Sequence, residues 1–298
     1  MNYKQLGKSE LQISEIGFGC MSLKGAQKEN ERIIDRATEL GINYFDTADL
    51  YDKGMNEACV GKALKNKRNK VVLATKVGNQ WRADGSGWDW NPKKEYILSS
   101  VEESLKRLQT DYIDLYQLHG GTMEDPIDET IEAFETLKQQ GKIRYYGISS
   151  IRPNVIRKYV CKSNLVSVMM QYSLLDRRAE ESCFPLLLQN NIGLLARGSV
   201  AQGLVINKAA KAYLNYSEEE VKQAAKIVAS LSSQQRSAAQ TALQFVLQNP
   251  AVTSAVAGIR TLEQLEDAVK TVNAPLLTPA KMEALKQAVE INYYDQHR

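Results

Sequence analysis

Four polar side chains at the ends of three successive apolar runs could act together as an acid–base group. Asp46 lies near the end of the run INYFDTA, and Tyr51 follows five residues later. Lys76 ends the run KVVLATK, and His119 ends DYIDLYQLH. A tyrosine with an ordinary pKa of about 10 is a poor proton donor near neutral pH, but a lysine cation about 4–6 Å away favours its phenolate form. A buried lysine needs a counter-charge, which Asp46 can supply.

The same group could polarise a carbonyl. His119 can donate a hydrogen bond to the oxygen that becomes negative when a carbonyl is attacked. The four residues therefore predict proton transfer to a carbonyl oxygen during reduction, or the reverse reaction on an alcohol. No side chain can provide a hydride, so a cofactor must supply it. Taken singly, each residue has an ordinary structural explanation, but four such coincidences at neighbouring strand ends are far less expected than one shared site.

Eight short apolar runs alternate with eight amphipathic segments. The runs that predict strands are 15–20, 42–48, 70–76, 111–119, 142–150, 165–173, 192–199 and 253–259. The segments that predict helices are 27–40, 56–65, 93–108, 127–140, 152–161, 179–190, 236–248 and 261–272. Eight such units favour parallel strands closed into an α/β (β/α)₈ TIM barrel, whose active site lies at the carboxyl ends of the strands. An open doubly wound sheet is the alternative, but GFGCMS at 17–22 lacks the last glycine of a G-x-G-x-x-G motif.

Two segments lie outside the eight units. Residues 2–13 predict an N-terminal β-hairpin that turns at Gly7 and Lys8 and could close the bottom of the barrel. Residues 279–291, which begin at Pro279, predict an extra C-terminal helix. No linker or low-complexity tract divides the chain, so we expect a single domain over 1–298.

The composition excludes several classes of function. A net charge of +3 is too small to indicate nucleic-acid binding. No apolar run approaches the roughly 20 residues that would span a membrane, and no N-terminal signal peptide is indicated. The four scattered cysteines are expected to be reduced thiols of a cytoplasmic protein. Metal-site motifs and the G-x-S-x-G hydrolase motif are absent, so we expect no metal. The oligomeric state is not predicted.

Eight quoted segments together resemble the aldo-keto reductase family, in the order in which that family has them and over essentially the whole chain. They are GFGCMS, FDTADLY with GMNEACVG, ATKVG, DYIDLYQLH, YYGISS, MMQYS, LLARGSVAQGL and GIRTLEQL. The resemblance, most of all to bacterial NADPH-dependent members, implies a catalytic tetrad of Asp46, Tyr51, Lys76 and His119. It also implies NADPH or NADP⁺ bound across the barrel mouth without a Rossmann fold.

The resemblance also implies a set of cofactor-binding residues. Gly19, Cys20 and Met21 are expected near the nicotinamide ribose, and Ser149, Ser150 and Gln171 at the carboxamide. Arg197 and Gly198 follow at the next strand end, and Gly258, Arg260, Thr261, Gln264 and Asp267 are expected at the adenosine and the 2′-phosphate. A cation at a helix start suits a phosphate. The chain departs from the common pattern at Ser150, often Asn, at Arg197, often aromatic, and at Ala268, often Asn, which bears on cofactor affinity more than on cofactor identity.

The expected function is reduction of aldehydes, and also of ketones, with Tyr51 as proton donor to a small-molecule carbonyl substrate. The segment 79–92 carries all three tryptophans, and Trp81 and Trp88 could form an aromatic wall for the substrate. Alternatively, 79–92 is a surface loop whose tryptophans pack on the barrel. A second long loop, 198–216, with a polar helix at 217–230, could fold across the cofactor. The alternative function is a redox-sensing module with little turnover, similar to potassium-channel β-subunits; a lyase or isomerase on the same barrel is a third.

Overall fold

A computed structural model describes residues 1–298 and shows twelve strands and ten helices. The strands are β1 (Tyr3–Gln5), β2 (Gln12–Ser14), β3 (Ile16–Gly19), β4 (Tyr44–Asp46), β5 (Val72–Val77), β6 (Asn79–Trp81), β7 (Trp88–Trp90), β8 (Ile113–Leu118), β9 (Ile143–Ser149), β10 (Ser167–Gln171), β11 (Gly193–Arg197) and β12 (Val252–Gly258). The helices are α1 (Gln27–Glu39), α2 (Met55–Leu64), α3 (Lys94–Leu108), α4 (Ile127–Gln139), α5 (Pro153–Lys162), α6 (Cys183–Gln189), α7 (Glu218–Leu231), α8 (Ala238–Leu247), α9 (Leu262–Lys270) and α10 (Pro279–Lys286).

Eight of the strands close into a parallel barrel in the order β3-β4-β5-β8-β9-β10-β11-β12, with β12 pairing back to β3. The predicted (β/α)₈ fold is therefore confirmed. Every residue of β5 and of β8 is buried, as expected for strands packed between a barrel interior and an outer layer of helices. The larger apolar core lies between strands and helices, and a smaller one fills the barrel interior.

The N-terminal hairpin forms as predicted: β1 pairs antiparallel with β2, with Tyr3 opposite Ser14. Leu6, Leu11 and Ile13 of this hairpin belong to the interior core. A Cβ at Gly7 would lie 2.4 Å from the Val166 carbonyl oxygen, so the turn presses directly against the barrel. The hairpin thus covers the amino ends of the strands and leaves their carboxyl ends free.

Three local predictions differ from the structure. The last helix ends at Lys286 rather than 291, because the chain beyond it packs irregularly: Asn292 donates to the Leu175 carbonyl at 3.3 Å. The helix expected from 179 begins at Cys183, since Arg178–Glu180 form a separate 3₁₀ turn. The segment expected as a loop at 79–92 contains the antiparallel hairpin β6–β7. None of the ten helices is both long and apolar enough to cross a membrane.

Candidate active site

Lys76 is the centre of the polar group at the carboxyl ends of β4 and β5. Its side chain is 1% exposed, and its Nζ forms an ion pair with Asp46 Oδ1. The same Nζ donates to the Thr47 carbonyl oxygen at 2.8 Å and to the Tyr51 hydroxyl oxygen at 3.4 Å. The strand ends therefore bring Asp46, Lys76 and Tyr51 into direct contact although 25 residues of chain separate the last two.

In the ion pair between Lys76 and Asp46, each charge favours the charged form of the other residue. Burial, the largest single effect, lowers the pKa of the Lys76 ammonium, but Asp46 and Tyr51 together offset it and hold the pKa above its usual value. Burial also raises the pKa of the Asp46 carboxyl, an effect that Lys76 and the hydrogen bond from Gln117 oppose. The pair therefore keeps a fixed positive charge beside the Tyr51 hydroxyl.

The second oxygen of Asp46 is held from inside the barrel. The Gln117 amide on β8 donates to Asp46 Oδ2 at 3.0 Å, and the Tyr44 hydroxyl donates to the same oxygen at 3.4 Å. Both side chains are fully buried. Asp46 is thus oriented by three donors rather than by Lys76 alone.

His119 lies directly after β8, where its N–H donates to the Val77 carbonyl at 2.8 Å. Its ring meets the Tyr51 ring edge-on, with the centroids 5.7 Å apart and the planes at 83°. Burial, with the positive charges of Lys76 and Arg197, lowers the pKa of His119 from 6.5 to about 3, so the imidazole is neutral near pH 7. Nδ1 is buried without a partner, which leaves Nε2 as the nitrogen that can carry a proton toward a ligand.

Three comparisons with known proteins identify the family of this chain. The aldo/keto reductase family model matches residues 15–290. The chain belongs to the aldo/keto reductase family. It is 51% identical over 307 aligned positions, and over the full length of both chains, to the oxidoreductase YqkF of Bacillus subtilis.

Two further relatives are themselves named aldo-keto reductases. The holo form of aldo-keto reductase AKR11C1 from Bacillus halodurans superposes with a TM-score of 0.94 at 50% identity, covering 100% of this chain and 99% of that one. The aldo-keto reductase yakc [NADP(+)] of Schizosaccharomyces pombe is 32% identical over 65% of this chain and 60% of its own. The chain is accordingly an NAD(P)-dependent oxidoreductase of this family.

The side chains expected near the nicotinamide lie along the other strand ends of the reductase. Ser149 ends β9 and Ser150 follows it, while Gln171 and Arg197 stand opposite one another in the β10–β11 register. Arg177 and Arg178 pair with acidic neighbours, but Arg197 has no acidic partner within 4 Å. A half-buried free guanidinium beside a free amide fits a ligand that carries both phosphate and carboxamide groups.

Near the start of the barrel, Gly19 pairs with Gly258, and a Cβ at Gly258 would lie 2.6 Å from Ser22 Oγ. Because the two glycines have no side chains, this part of the barrel mouth is lined by backbone and by the Ser22 hydroxyl. Such a surface suits an extended ligand. Cys20 is buried and burial raises the pKa of its thiol well above the usual value, whereas Met21 is exposed. Cys20 therefore contributes its backbone and its packing, and not a reactive thiolate.

The expected adenosine end lies at the start of α9. Thr261 caps this helix by accepting from the Gln264 N–H at 3.2 Å, and the Arg260 N–H donates to the Gln264 side chain at 3.0 Å. The Arg260 side chain is exposed and free of an ion pair. Asp267 is different, because Ser237 and Gln240 occupy both of its carboxylate oxygens at 2.9 and 2.7 Å. Arg260 is therefore the one charged side chain of this segment that is free to meet a phosphate.

The tryptophan segment is an ordered hairpin beside the tetrad. Trp90 anchors it: a Cβ at Gly78 would lie 2.6 Å from the Trp90 ring, and Trp90 Nε1 donates to Asp125 at 2.9 Å. Trp81 Nε1 donates to the Leu50 carbonyl at 3.3 Å, next to Tyr51. Trp88 begins β7 directly opposite Trp81 and is 47% exposed. Trp81 thus stands against the segment that carries Tyr51, and Trp88 is its more exposed cross-strand partner.

Several functional contacts were not predicted from the sequence. The role of Gln117 could have been found, since it lies two residues before His119 and so on the same face of β8. The C-terminal tail is also held, because the His297 carbonyl accepts from the Asn154 N–H at 2.9 Å. Tyr294 in this tail is buried, with the Arg178 guanidinium 4.7 Å from its ring centroid. The tail is therefore packed against the loops that follow β9 and β10.

Proposed function

We propose that this aldo/keto reductase reduces aldehydes, and also ketones, to alcohols with NADPH. The observation that supports this most directly is the position of Lys76 Nζ between Asp46 and the Tyr51 hydroxyl, with the His119 ring at the edge of Tyr51. When bound, the nicotinamide supplies the hydride that no side chain can provide.

Each tetrad residue then has one task at the substrate oxygen. Tyr51 donates its hydroxyl proton to the carbonyl oxygen, and the adjacent Lys76 cation stabilises the negative charge left on the phenol oxygen. Neutral His119 donates a hydrogen bond to the carbonyl oxygen and orients it toward Tyr51. Asp46 keeps Lys76 charged in its buried position.

The preference for NADPH over NADH is supported by Arg260. Its exposed guanidinium at the start of α9 can meet a 2′-phosphate, a group that NADH lacks. The name of the relative yakc includes NADP(+), which agrees with this preference in that relative. We propose that Ser149, Ser150, Gln171 and Arg197 hold the nicotinamide end, together with Gly19–Met21 and Gly198. Gly258, Thr261, Gln264 and Asp267 frame the adenosine end.

Fluorescence titration of the protein with NADPH and with NADH tests the cofactor proposal. We expect NADPH to bind at least about ten-fold more tightly, since one charge-assisted contact is worth about 1.5–3 kcal/mol. Arg260→Ala should remove most of this difference, while Arg157→Ala, on α5, serves as a surface arginine control. Equal binding of the two cofactors by the wild type would contradict the role of Arg260. Failure to bind either would contradict the reductase proposal itself.

The aldehyde is proposed to lie against the hairpin β6–β7, with Trp81 as the nearer wall and Trp88 as the outer one. Lys53 lies over the other side of this contact, with its Nζ 5.1 Å from the Trp81 ring centroid. Flat aromatic aldehydes should therefore be better substrates than aliphatic aldehydes of similar size.

A further inference from the structure

Glu57 on α2 is a completely buried carboxylate that belongs neither to the tetrad nor to the cofactor residues. Its Oε1 accepts a hydrogen bond from the Thr75 hydroxyl at 2.5 Å. Its Oε2 accepts a hydrogen bond from Arg107 Nε at 2.7 Å and forms an ion pair with Nη2 of the same guanidinium, and the Ser104 hydroxyl donates to it at 3.4 Å. A buried charge with this many partners is held in one position.

One side of Glu57 is connected to Lys76. Thr75 immediately precedes Lys76 on β5, and successive side chains of a strand point to opposite faces. Thr75 therefore faces outward to α2 while Lys76 faces the barrel interior. The bond between Thr75 and Glu57 fixes the outer face of β5 at the residue before the catalytic cation.

The other side of Glu57 is connected to Tyr51. Asp52, Lys53 and Gly54 follow Tyr51 in three consecutive left-handed conformations, with φ values of 50°, 52° and 85°. Residues other than glycine adopt this conformation only where the surrounding structure holds them. Arg107 provides that support, because a Cβ at Gly54 would lie 2.8 Å from its Cδ and Nε.

We propose that Glu57 and Arg107 are positioning residues, which together hold the turn that carries Tyr51 at hydrogen-bond distance from Lys76. The chain of contacts runs from Lys76 through Thr75 and Glu57 to Arg107 and then to Gly54. The inference rests on the proposed function, since its effect on turnover requires that Tyr51 be the proton donor. The physical coupling between α3 and the turn can be measured without turnover.

The test replaces Arg107 with methionine, which keeps much of the length of the side chain and removes its charge and its N–H donors. We expect kcat for an aromatic aldehyde to fall about ten- to a hundred-fold, since a displacement of about 1 Å can cost 10²-fold. The KM for the aldehyde and the Kd for NADPH should each stay within about two-fold, because Arg107 is not among the residues proposed to bind either ligand. Hydrogen exchange measured by mass spectrometry should become faster in the peptide that spans 50–57.

Arg68→Met is the matched control. Arg68 pairs with Asp114, a buried carboxylate that accepts from the Leu73 N–H on β5, at the opposite end of the barrel. Arg68→Met should lower thermal stability to about the same degree as Arg107→Met, yet leave kcat and the hydrogen exchange of 50–57 unchanged. Arg107→Lys, which restores a cation but not the guanidinium N–H donors to Glu57 and Ser104, should recover part of the lost kcat.

Wild-type kcat and wild-type exchange of 50–57 in Arg107→Met would overturn the inference. So would an equal loss of kcat in Arg68→Met, because the effect would then follow from stability alone. If the wild type binds NADPH but reduces no aldehyde, the proposed function fails, while the exchange comparison of the two variants still decides the coupling.

Discussion

Asp49 is a buried carboxyl for which the structure provides too little positive charge, and its replacement by asparagine should stabilise the protein at alkaline pH. Its side chain is 8% exposed, and Oδ1 has no hydrogen-bond partner. The nearby cation of Arg107 is already paired with the carboxylate of Glu57. Burial, and then the charge of Glu57, raise the pKa of Asp49 from 3.8 to about 8.

The size of the effect follows from this pKa. The folded state binds the Asp49 proton more tightly than the unfolded chain, so the free energy of unfolding falls as pH rises from about 4 to about 8 and levels off above that. At about 1.4 kcal/mol per pKa unit, the upper limit is roughly 5–6 kcal/mol. Relaxation around an ionised carboxyl reduces this, and we expect about 2–3 kcal/mol. An asparagine side chain has no such proton to lose, so the Asp49→Asn variant avoids this loss of stability.

The assay is thermal unfolding followed by circular dichroism from pH 5 to 9. At pH 8.5 we expect Asp49→Asn to unfold roughly 5 °C above the wild type, with a gap that narrows steadily toward pH 5. Asp114→Asn is the control, because Asp114 is also buried but pairs with Arg68 and Arg144. The Asp114→Asn variant should be destabilised by about 3 kcal/mol. An Asp49→Asn variant less stable than the wild type at pH 8.5 would refute the reasoning, since Asp49 would then be a stabilising anion.

Two further predictions concern the barrel interior and the hairpin. Gln117→Leu removes the 3.0 Å hydrogen bond to Asp46, so Asp46 should be less well oriented toward Lys76. The kcat should fall about ten-fold while the affinity for NADPH stays unchanged. A wild-type kcat would contradict the proposed role of Gln117 in orienting Asp46. Trp81→Ala should raise the KM for an aromatic aldehyde about ten-fold, whereas Trp88→Ala should change it less than about three-fold. Steady-state kinetics measure both, and a reversed order would place Trp88, and not Trp81, at the substrate.

The barrel and the tetrad could be predicted because both depend on short-range patterns. Buried strands appear as continuous apolar runs, and the carboxyl ends of parallel strands meet at one rim. Asp46, Lys76 and His119 are each the polar residue at such an end, so their meeting follows from the topology. The hairpin β1–β2 was similarly predictable from its glycine turn.

Contacts between distant helices could not be predicted in the same way. Glu57 and Arg107 are 50 residues apart on two different helices, and each alone resembles an exposed charged residue. The end of α10 depends on Asn292, whose partners lie 117 and 77 residues away. The hairpin β6–β7 is fixed by Trp90 against Gly78, a packing contact that no local pattern expresses.

The most direct test of the proposed reductase mechanism is single-turnover reduction of an aromatic aldehyde by the NADPH-bound Tyr51→Phe variant. The hydroxyl that contacts Lys76 is removed, while the ring that meets His119 is kept. NADPH should bind as tightly as to the wild type, and the rate of NADPH oxidation should fall about 10³-fold or more. Near-wild-type oxidation of NADPH by Tyr51→Phe would contradict the assignment of Tyr51 as the proton donor.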